Sequence, residues 1–262
     1  MAGVYVNDEG SWKLPKSIWI NQLGTWRVCK NVYVKSGGAW KELIKTIDIT
    51  SSKSNFNLYE YLGSPPQALS VVVNISSFVE IFSSNTSGNR TPALTVGNFP
   101  TGSTVIINNN GYISGGGGFG GKGTWYGYDS GSNGTKGGDG IVKGSSNSFD
   151  CTIVNTGTIA GGGGGGGGGR GFSVSANPVA NPTPVAGNTG GQGAGITGAS
   201  RTQGGQVTDR SGGSPNSQGG GGIGGSLGES GVSDQTSAGA GGKAIGSGIE
   251  IAVSGTIIGA IG

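Results

Sequence analysis

The segment TIVNTGTIAGGGGGGGGGRG, residues 152–171, places two isoleucines immediately before a run of nine glycines. It opens with the pattern I-x-x-x-G-x-I-x-G, which occurs three times, from Ile107 to Gly115, from Ile153 to Gly161 and from Ile251 to Gly259. A flexible Gly/Ser linker has no reason to keep such apolar positions. We therefore expect the chain to enter its glycine clusters from ordered β-strands.

Glycine dominates the C-terminal part of the chain. It supplies 61 of 262 residues, and only nine of these precede Gly111. Ordering a glycine backbone costs about 1–2 kcal/mol per residue, and an isolated extended helix has no internal hydrogen bonds to offset that cost. Because chains without side chains can approach one another from every direction, the composition predicts a glycine-rich head of packed polyglycine-II helices. The alternative is a disordered Gly/Ser segment.

The bulk composition excludes several classes of protein. Apolar residues make up 32% and charged residues 11% of the chain, both below the usual shares. The net charge is only +3, and no basic run suggests nucleic-acid binding. There is no signal-peptide pattern and no apolar run of about 18 residues. We expect no nucleic-acid partner and no membrane insertion, and we expect Cys29 and Cys151 to remain unpaired thiols.

The chain contains no histidine, which excludes Ser-His-Asp and Cys-His catalysis and the commonest metal ligand. The run Gly193–Gly198 satisfies G-x-G-x-x-G, but such a match is expected by chance in this composition. We therefore predict a non-enzyme with no catalytic residues, no metal and no cofactor.

The first 45 residues repeat with a period of 14, and each unit is predicted to form a β-hairpin with a glycine in its turn. The repeats align Trp12, Trp26 and Trp40, and also Trp19 and Tyr33. They indicate either a small β module with buried tryptophans or three equivalent aromatic sites that meet a three-fold symmetric partner.

The fold class predicted from these patterns is mostly β and irregular, in three parts. Residues 1–46 hold the hairpin repeats, and residues 107–262 hold the glycine-rich head. Residues 47–106 carry most of the conventional apolar content, with apolar runs such as 69–75 and 78–82. We expect this middle part to be a β connector.

Two segments carry a specific resemblance. TVIINNNGYISGGGGFGGKG, residues 104–123, and residues 152–171 resemble the distal long-tail-fibre adhesins of T-even bacteriophages, with a weaker echo at Phe56-Asn57. The resemblance covers roughly residues 50–262. It implies a sandwich of polyglycine-II helices whose connecting loops bind outer-membrane proteins. The N-terminal repeats lie outside it and look more like short repeats of other phage tail proteins, so the expected partner is a trimeric tail fibre or a tail-tip protein.

Recognition is expected in the loops, because a glycine scaffold leaves specificity to the segments between its runs. Tyrosine and tryptophan in a Gly/Ser background are typical of adaptable binding surfaces. There are four candidate segments: 124–129, 172–189, the stretch that holds Arg201, Asp209 and Arg210, and 226–238. The predicted receptor-binding residues are Trp125, Tyr126, Tyr128, Asp129, Phe172, Arg201 and Arg210.

The predicted protein is a receptor-binding adhesin at the distal tip of a tail fibre, part of the virion and assembled in the host cytoplasm. Its receptor is expected to be a bacterial outer-membrane protein, with surface polysaccharide second. Residues 1–46 are expected to attach it to the fibre through Trp12, Trp19, Trp26, Tyr33 and Trp40. Two alternatives stay open: a polysaccharide-binding or depolymerising tailspike, which would need two facing carboxylates to act, and a structural glycine-rich tail protein.

Overall fold

The structure of the protein is a computed structural model. This structure describes residues 6–8, 11–13, 19–22, 24–28, 31–36, 39–83, 91–121, 132–145, 148–168, 172–174, 183–185, 195–197, 200–202, 225–233 and 237–262. The described residues are mostly β-strand, as predicted, with one short helix, α1 (Leu58–Tyr61). The strands, in chain order, are β1 (Val6–Asp8), β2 (Ser11–Lys13), β3 (Trp19–Gln22), β4 (Thr25–Val28), β5 (Asn31–Ser36), β6 (Ala39–Ile49), β7 (Lys53–Ser54), β8 (Phe56–Asn57), β9 (Ser70–Ile75), β10 (Glu80–Phe82), β11 (Leu94–Thr95), β12 (Thr104–Asn109), β13 (Tyr112–Ser114), β14 (Ile141–Val142), β15 (Asp150–Asn155), β16 (Thr158–Ala160), β17 (Phe172–Val174), β18 (Thr183–Val185), β19 (Gly195–Thr197), β20 (Ser200–Thr202), β21 (Glu250–Val253) and β22 (Thr256–Ile258).

Three sheets form the body of the molecule, and almost all of their strands pair in parallel. Sheet A has the order β21-β15-β12-β9-β6-β5, sheet B has the order β22-β16-β13-β10-β7, and sheet C has the order β14-β11-β8. Only β5 runs antiparallel to its neighbour, β6. Single parallel bridges from Ile141 to Ile245 and from Ile245 to Ile261 extend sheet C.

The chain visits the three sheets in the same order five times. It runs from a strand of sheet A to one of sheet B and then to a strand or bridge of sheet C, and the next turn stacks in parallel on the last. This is the arrangement of a parallel β-helix with three sides and five turns. Two neighbouring parallel strands have to be joined by a crossover connection. Here the remainder of each turn of the β-helix is that connection.

The isoleucines of the repeated sequence pattern lie in the core of this β-helix. The pattern's first isoleucines stack in sheet A, where Ile107 pairs with Ile153 and Ile153 with Ile251. Its second isoleucines stack in sheet B, where Ile113 pairs with Ile159 and Ile159 with Ile257. The members in the third and fourth turns are fully buried. Burying such a side chain contributes roughly 1.5–3 kcal/mol, so the repeated pattern both sets the register and supplies the stability.

A buried amide pair closes the corner between sheets A and B. Asn109 and Asn155 are both fully buried, and the Asn109 side-chain amide donates to Oδ1 of Asn155 at 2.8 Å. Asn155 in turn donates to the backbone carbonyl of Thr256 at 3.3 Å. A buried amide is costly unless it is hydrogen-bonded, so this ladder favours the one register that satisfies it.

The glycine-rich segments enter the β-helix at one corner. Between sheets B and C the first turn needs only Asn55, whereas the third turn inserts residues 115–140 and the fourth inserts residues 161–244. The predicted boundaries at 46/47 and 106/107 fall inside β6 and β12. They mark changes in composition, and sheet A is continuous across both of them.

The N-terminal 14-residue period is also a period of structure. Each repeat contains one antiparallel strand pair: β1 with β2, β3 with β4, and β5 with β6. The backbone pairing is equivalent in all three, since the tryptophan that the repeats share lies opposite the residue five places before it: Asn7 with Trp12, Asn21 with Trp26, and Lys35 with Trp40. The third pair is built into sheet A because β6 continues into the β-helix.

We predict that Ile107→Ala lowers the free energy of unfolding by roughly 2–5 kcal/mol, because it leaves a cavity in a fully buried ladder. Ile106→Ala is the matched control, since this neighbour points to the opposite, partly exposed face of the same strand. It should cost clearly less. Denaturant unfolding of the two variants measures the difference, and equal losses would contradict the assignment of the core.

Candidate functional site

The glycine-rich segments bond to one another with a period of three residues. The backbone N–H groups of Gly115, Gly118 and Gly121 donate to the carbonyls of residues 160, 163 and 166 at 2.7–2.9 Å. The same spacing recurs where residues 134, 137 and 140 donate to residues 237, 240 and 243. No residue of these runs is assigned to a strand. We call the assembly of residues 115–121, 132–140, 161–168, 225–233 and 237–243 the glycine stack.

Segment 161–168 lies at the centre of the glycine stack, and all its residues are buried. It donates to two neighbours within the stack, from Gly162 and Gly165 to segment 132–140 and from Gly164 and Gly167 to segment 229–232, and its first residue, Gly161, donates to Ile258 of the β-helix. It accepts from three, because its carbonyls receive N–H groups of segments 115–121, 225–228 and 237–243. Hydrogen bonds therefore leave this segment in several directions around its axis, which a β-strand in a sheet does not allow.

The centre of the stack has no room for side chains. A Cβ built on Gly162 would lie less than 3.0 Å from the carbonyl oxygen of Gly116. At Gly164 the carbonyl of Gly239 stands in the same relation, and at Gly165 that of Phe119. These obstacles are backbone atoms in hydrogen-bonded segments, so they cannot move aside as a flexible side chain would.

One end of the stack brings together several points at which connecting segments leave or return. Gly121 lies against Ser132 and Gly168, because a Cβ on Gly121 would meet the backbone of both. Gly134 donates to the carbonyl of Ser237, and Gly167 donates to that of Val232. We call this the distal end. The opposite end joins the β-helix, where Gly115 donates to Ala160 and Gly140 to Lys243.

The predicted receptor-binding residues belong to two connections that leave the stack at its distal end, one after Gly121 and one after Gly168. The first returns there at Ser132, and the second is described again at Gly225, whose N–H donates to the carbonyl of Gly164. Trp125, Tyr126, Tyr128 and Asp129 belong to the connection 122–131, and Arg210 to the connection between residues 168 and 225; all five lie outside the described residues. Phe172 begins β17, which pairs with β18 so that Phe172 faces Val185 in the register. Arg201 lies in β20, opposite Ile196 of β19.

The fourth candidate segment, 226–238, lies in part within the stack. Residues 225–228 run antiparallel to residues 161–164, and residues 229–232 return parallel to residues 164–167. Asp234 lies outside the described residues, and the backbone of Glu229 accepts from Gly164. Sequence alone could not separate a scaffold stretch with one glutamate from a loop, because the hydrogen bonds come from distant residues.

Exposure is described for two of the aromatic side chains in the N-terminal repeats. Trp26 is 63% exposed and Tyr33 is 49% exposed. At Trp26 this disagrees with the alternative of a small β module with buried tryptophans. For Trp12, Trp19 and Trp40 the structure places the strands only, in β2, β3 and β6.

The described residues offer little catalytic chemistry. No group of three acidic, cysteine or histidine side chains within them could hold a metal ion. Cys151 is an unpaired, buried thiol, and burial raises its pKa to about 12, against a smaller lowering by Lys143. It is therefore protonated at neutral pH and is a poor nucleophile. Cys29 lies outside the described residues. In the part of the chain that the structure describes, no helix could span a membrane.

A rigid β-helix that carries a glycine stack, with long connections held at one end, defines a recognition protein. The chain belongs to the family described as "Phage tail fibre adhesin Gp38", whose model matches residues 44–262. It is a tail-fibre adhesin of a bacteriophage that binds a receptor on the host cell, and the resemblance to this family is confirmed. The family is not a family of enzymes.

The comparison with solved structures supports the same fold. The chain is similar to a chain of the "gp37-gp38 adhesin tip complex of the bacteriophage S16 long tail fiber", with a TM-score of 0.53 and 24% sequence identity over 85% of this chain and 83% of that chain. A comparison with curated proteins finds no match. The family match starts at residue 44, so the first two tryptophan repeats and most of the third lie outside it.

We predict that Gly164→Ala lowers the thermal unfolding temperature and loosens the glycine stack, because its Cβ would overlap the carbonyl of Gly239. Overpacking of this kind costs about 1–3 kcal/mol or more. Gly246→Ala is the control, since the nearest atom to a Cβ there lies at 3.2 Å. Thermal unfolding and hydrogen exchange of segments 115–121 and 237–243 report the change. Unaltered exchange in Gly164→Ala would contradict the close packing.

Proposed function

We propose that the connections held at the distal end of the glycine stack form the receptor-binding surface. The observation that carries this proposal is the convergence of Gly121, Ser132, Gly168, Val232 and Ser237 at one end of the stack. Connections that are distant in sequence are thereby tethered side by side. In this proposal Trp125, Tyr126 and Tyr128 supply the main contact area, and Asp129, Phe172, Arg201 and Arg210 add polar and apolar contacts.

The glycine stack is proposed to be a lattice of polyglycine-II helices. Such a helix has three residues per turn, rises about 3.1 Å per residue and makes no internal hydrogen bonds. The three-residue spacing of the donors and the spread of hydrogen bonds around segment 161–168 support this geometry. A lattice of this kind is stiff, so it would hold the loops in a fixed arrangement and reduce the entropy lost on binding.

The receptor is proposed to be an outer-membrane protein of a Gram-negative host, with surface polysaccharide as the second possibility. Aromatic residues in a Gly/Ser background suit contact with exposed protein loops, because tyrosine and tryptophan supply large contact areas at a low cost in side-chain entropy. Two arginines and one aspartate among the proposed residues would add charged hydrogen bonds, which contribute to specificity. No catalytic step is part of this proposal.

The N-terminal repeats are proposed to attach the adhesin to a trimeric tail fibre or tail-tip protein. Three strand pairs of equivalent register present one tryptophan position each, and three like units suit a partner with three-fold symmetry. Trp26 and Tyr33 are exposed, which is consistent with such a contact. The related structure is a gp37–gp38 complex, which is consistent with a fibre partner. The adhesin would then lie at the fibre's distal tip, after assembly in the host cytoplasm.

For the receptor site, we predict that joint replacement of Trp125, Tyr126 and Tyr128 by alanine reduces binding to susceptible cells at least tenfold, because aromatic anchors carry much of the energy of such interfaces. Binding of the labelled full chain to susceptible and resistant cells measures this effect. Thermal unfolding should stay unchanged. A folded variant that binds susceptible cells like the wild type would remove these residues from the site.

For the attachment site, we predict the opposite pattern for Trp26→Ala, which removes an exposed ring. Cell binding of the isolated protein should stay intact, whereas incorporation into phage fibres should fall at least tenfold. Complementation of phage that lack the adhesin measures incorporation, and the loop variant serves as the reciprocal control. Normal incorporation of Trp26→Ala together with Tyr33→Ala would contradict attachment through the described repeat aromatics.

A further inference from the structure

One corner of the β-helix presents a single aromatic side chain that does nothing for the fold. Phe78 is 89% exposed and has a backbone φ of +68°. The other described non-glycine residues with positive φ are Asn55 and Ser64, and asparagine tolerates this conformation far better than a phenylalanine does. A left-handed conformation costs such a residue roughly 1–2 kcal/mol. Phe78 therefore combines a strained backbone with the full cost of apolar exposure.

The turn that carries Phe78 is longer than its equivalents. From sheet A to sheet B the second turn has residues 76–79 between its strands, whereas the third and fourth turns have only residues 110–111 and 156–157. The extra length forms a tight turn in which the N–H of Val79 donates to the carbonyl of Ser76 at 3.2 Å. Phe78 sits where a glycine would be the usual choice.

Neighbouring turns hold this corner rigid. Ser76 donates to the carbonyl of Ile49, and Tyr112 donates to that of Val79 at 2.9 Å. The N–H of Glu80 donates to Oγ of Ser52 at 3.1 Å. Beneath the turn, a Cβ added at Gly111 would lie 2.7 Å from the carbonyl oxygen of Ser76, so the two backbones are in close contact. The backbone that carries the ring is thus held in one place, which lowers the cost of using the ring as a contact.

The exposed corner residues around the ring are uncharged and rich in hydrogen-bonding groups. Two partly exposed charged residues, Lys53 and Glu80, follow in the strands of sheet B, where Glu80 pairs with Tyr112. The exposed corner residues of the adjoining turns are Ser51, Ser52, Ser77, Asn110 and Thr156. Tyr112, whose backbone meets Val79, is 42% exposed. Protein interfaces centre on clustered apolar anchors over about 800 Å² per partner, and this corner offers one isolated ring with one tyrosine beside it. An aromatic face flanked by hydroxyls and amides instead matches a sugar, whose C–H face packs on the ring while its hydroxyls exchange hydrogen bonds.

We propose that Phe78, with Tyr112 and Asn110, forms an accessory saccharide-binding site for the neutral sugars of host surface polysaccharide. The site lies on the flank of the β-helix and is separate from the distal end of the glycine stack. This proposal rests on the proposed function in one respect only, namely that an adhesin meets the polysaccharide on the surface of its host. Weak binding there would retain the phage at the cell surface while the distal loops engage the receptor.

The test uses the full chain and lipopolysaccharide purified from a susceptible strain, coupled to a biosensor. Phe78→Gly should lower the affinity at least tenfold while thermal stability stays equal or rises, because glycine adopts φ of +68° without strain. Phe78→Tyr should retain binding. Tyr61→Ala, which removes an exposed ring elsewhere on the β-helix, should leave the affinity unchanged.

Three results would overturn the proposal. Phe78→Gly could bind the lipopolysaccharide as tightly as the wild type. The wild type could fail to bind lipopolysaccharide although Phe78→Gly weakens cell binding, which would indicate a protein ligand. Sedimentation could show a dimer that Phe78→Gly dissociates, which would indicate a second copy of the chain. Loss of cell binding in the distal-loop variant alone would leave the receptor proposal standing and is distinguishable from each of these.

Discussion

Backbone carbonyl oxygens occupy the space around segment 161–168 in which side chains would begin. This one constraint determines the composition of the C-terminal half, because only glycine lets several backbones approach so closely. Each ordered glycine costs about 1–2 kcal/mol, and each hydrogen bond between segments returns about 1 kcal/mol net. The glycine stack therefore gains little from any single contact, and its stability has to be collective and anchored from outside.

The β-helix provides that anchor by fixing where each glycine segment begins and ends. The hydrogen bond from Gly115 to Ala160 directly extends the pairing of β13 with β16, so the first glycine segments inherit a register from sheet B. The segments return to sheet C at Ile141 and Ile245, which pair with one another and are fully buried. Because both ends of each insertion are held by the apolar core, the entropy of closing these long connections is offset there.

The sequence predicted the presence of β-strands but not their arrangement in a β-helix. The pattern around Ile107, Ile153 and Ile251 identified three segments as equivalent, and the structure stacks them as successive turns. The second turn escaped the pattern because its corner carries residues 76–79 in place of a short turn with glycine. The β-helix itself was hidden, since long insertions separate strands that pair in space: residues 161–255 lie between β16 and β22. A local period cannot reveal pairing across such an interval.

Only the features of the candidate site that depend on amino-acid composition could be predicted from the sequence. The loop aromatics Trp125, Tyr126 and Tyr128 stand out against a Gly/Ser background, and so do the repeat tryptophans. That the connections share one end of the stack depends on the direction of each glycine segment, which is set by hydrogen bonds such as that from Gly134 to Ser237. Phe78 looked like an ordinary strand residue, because neither its φ nor its exposure can be read from the apolar run 78–82.

The packing of the stack also supports the proposal that recognition takes place at its distal end. Every side of segment 161–168 faces another backbone, so large side chains have no place along its length. A connection at the distal end meets no such restriction, and its length and residues can differ without disturbing the hydrogen bonds behind it. At the other end, β6 joins the third N-terminal repeat to sheet A as one uninterrupted strand. The third repeat is thus joined to the β-helix through the ordered backbone of one strand. A contact made by this repeat would be transmitted through that strand towards the glycine stack.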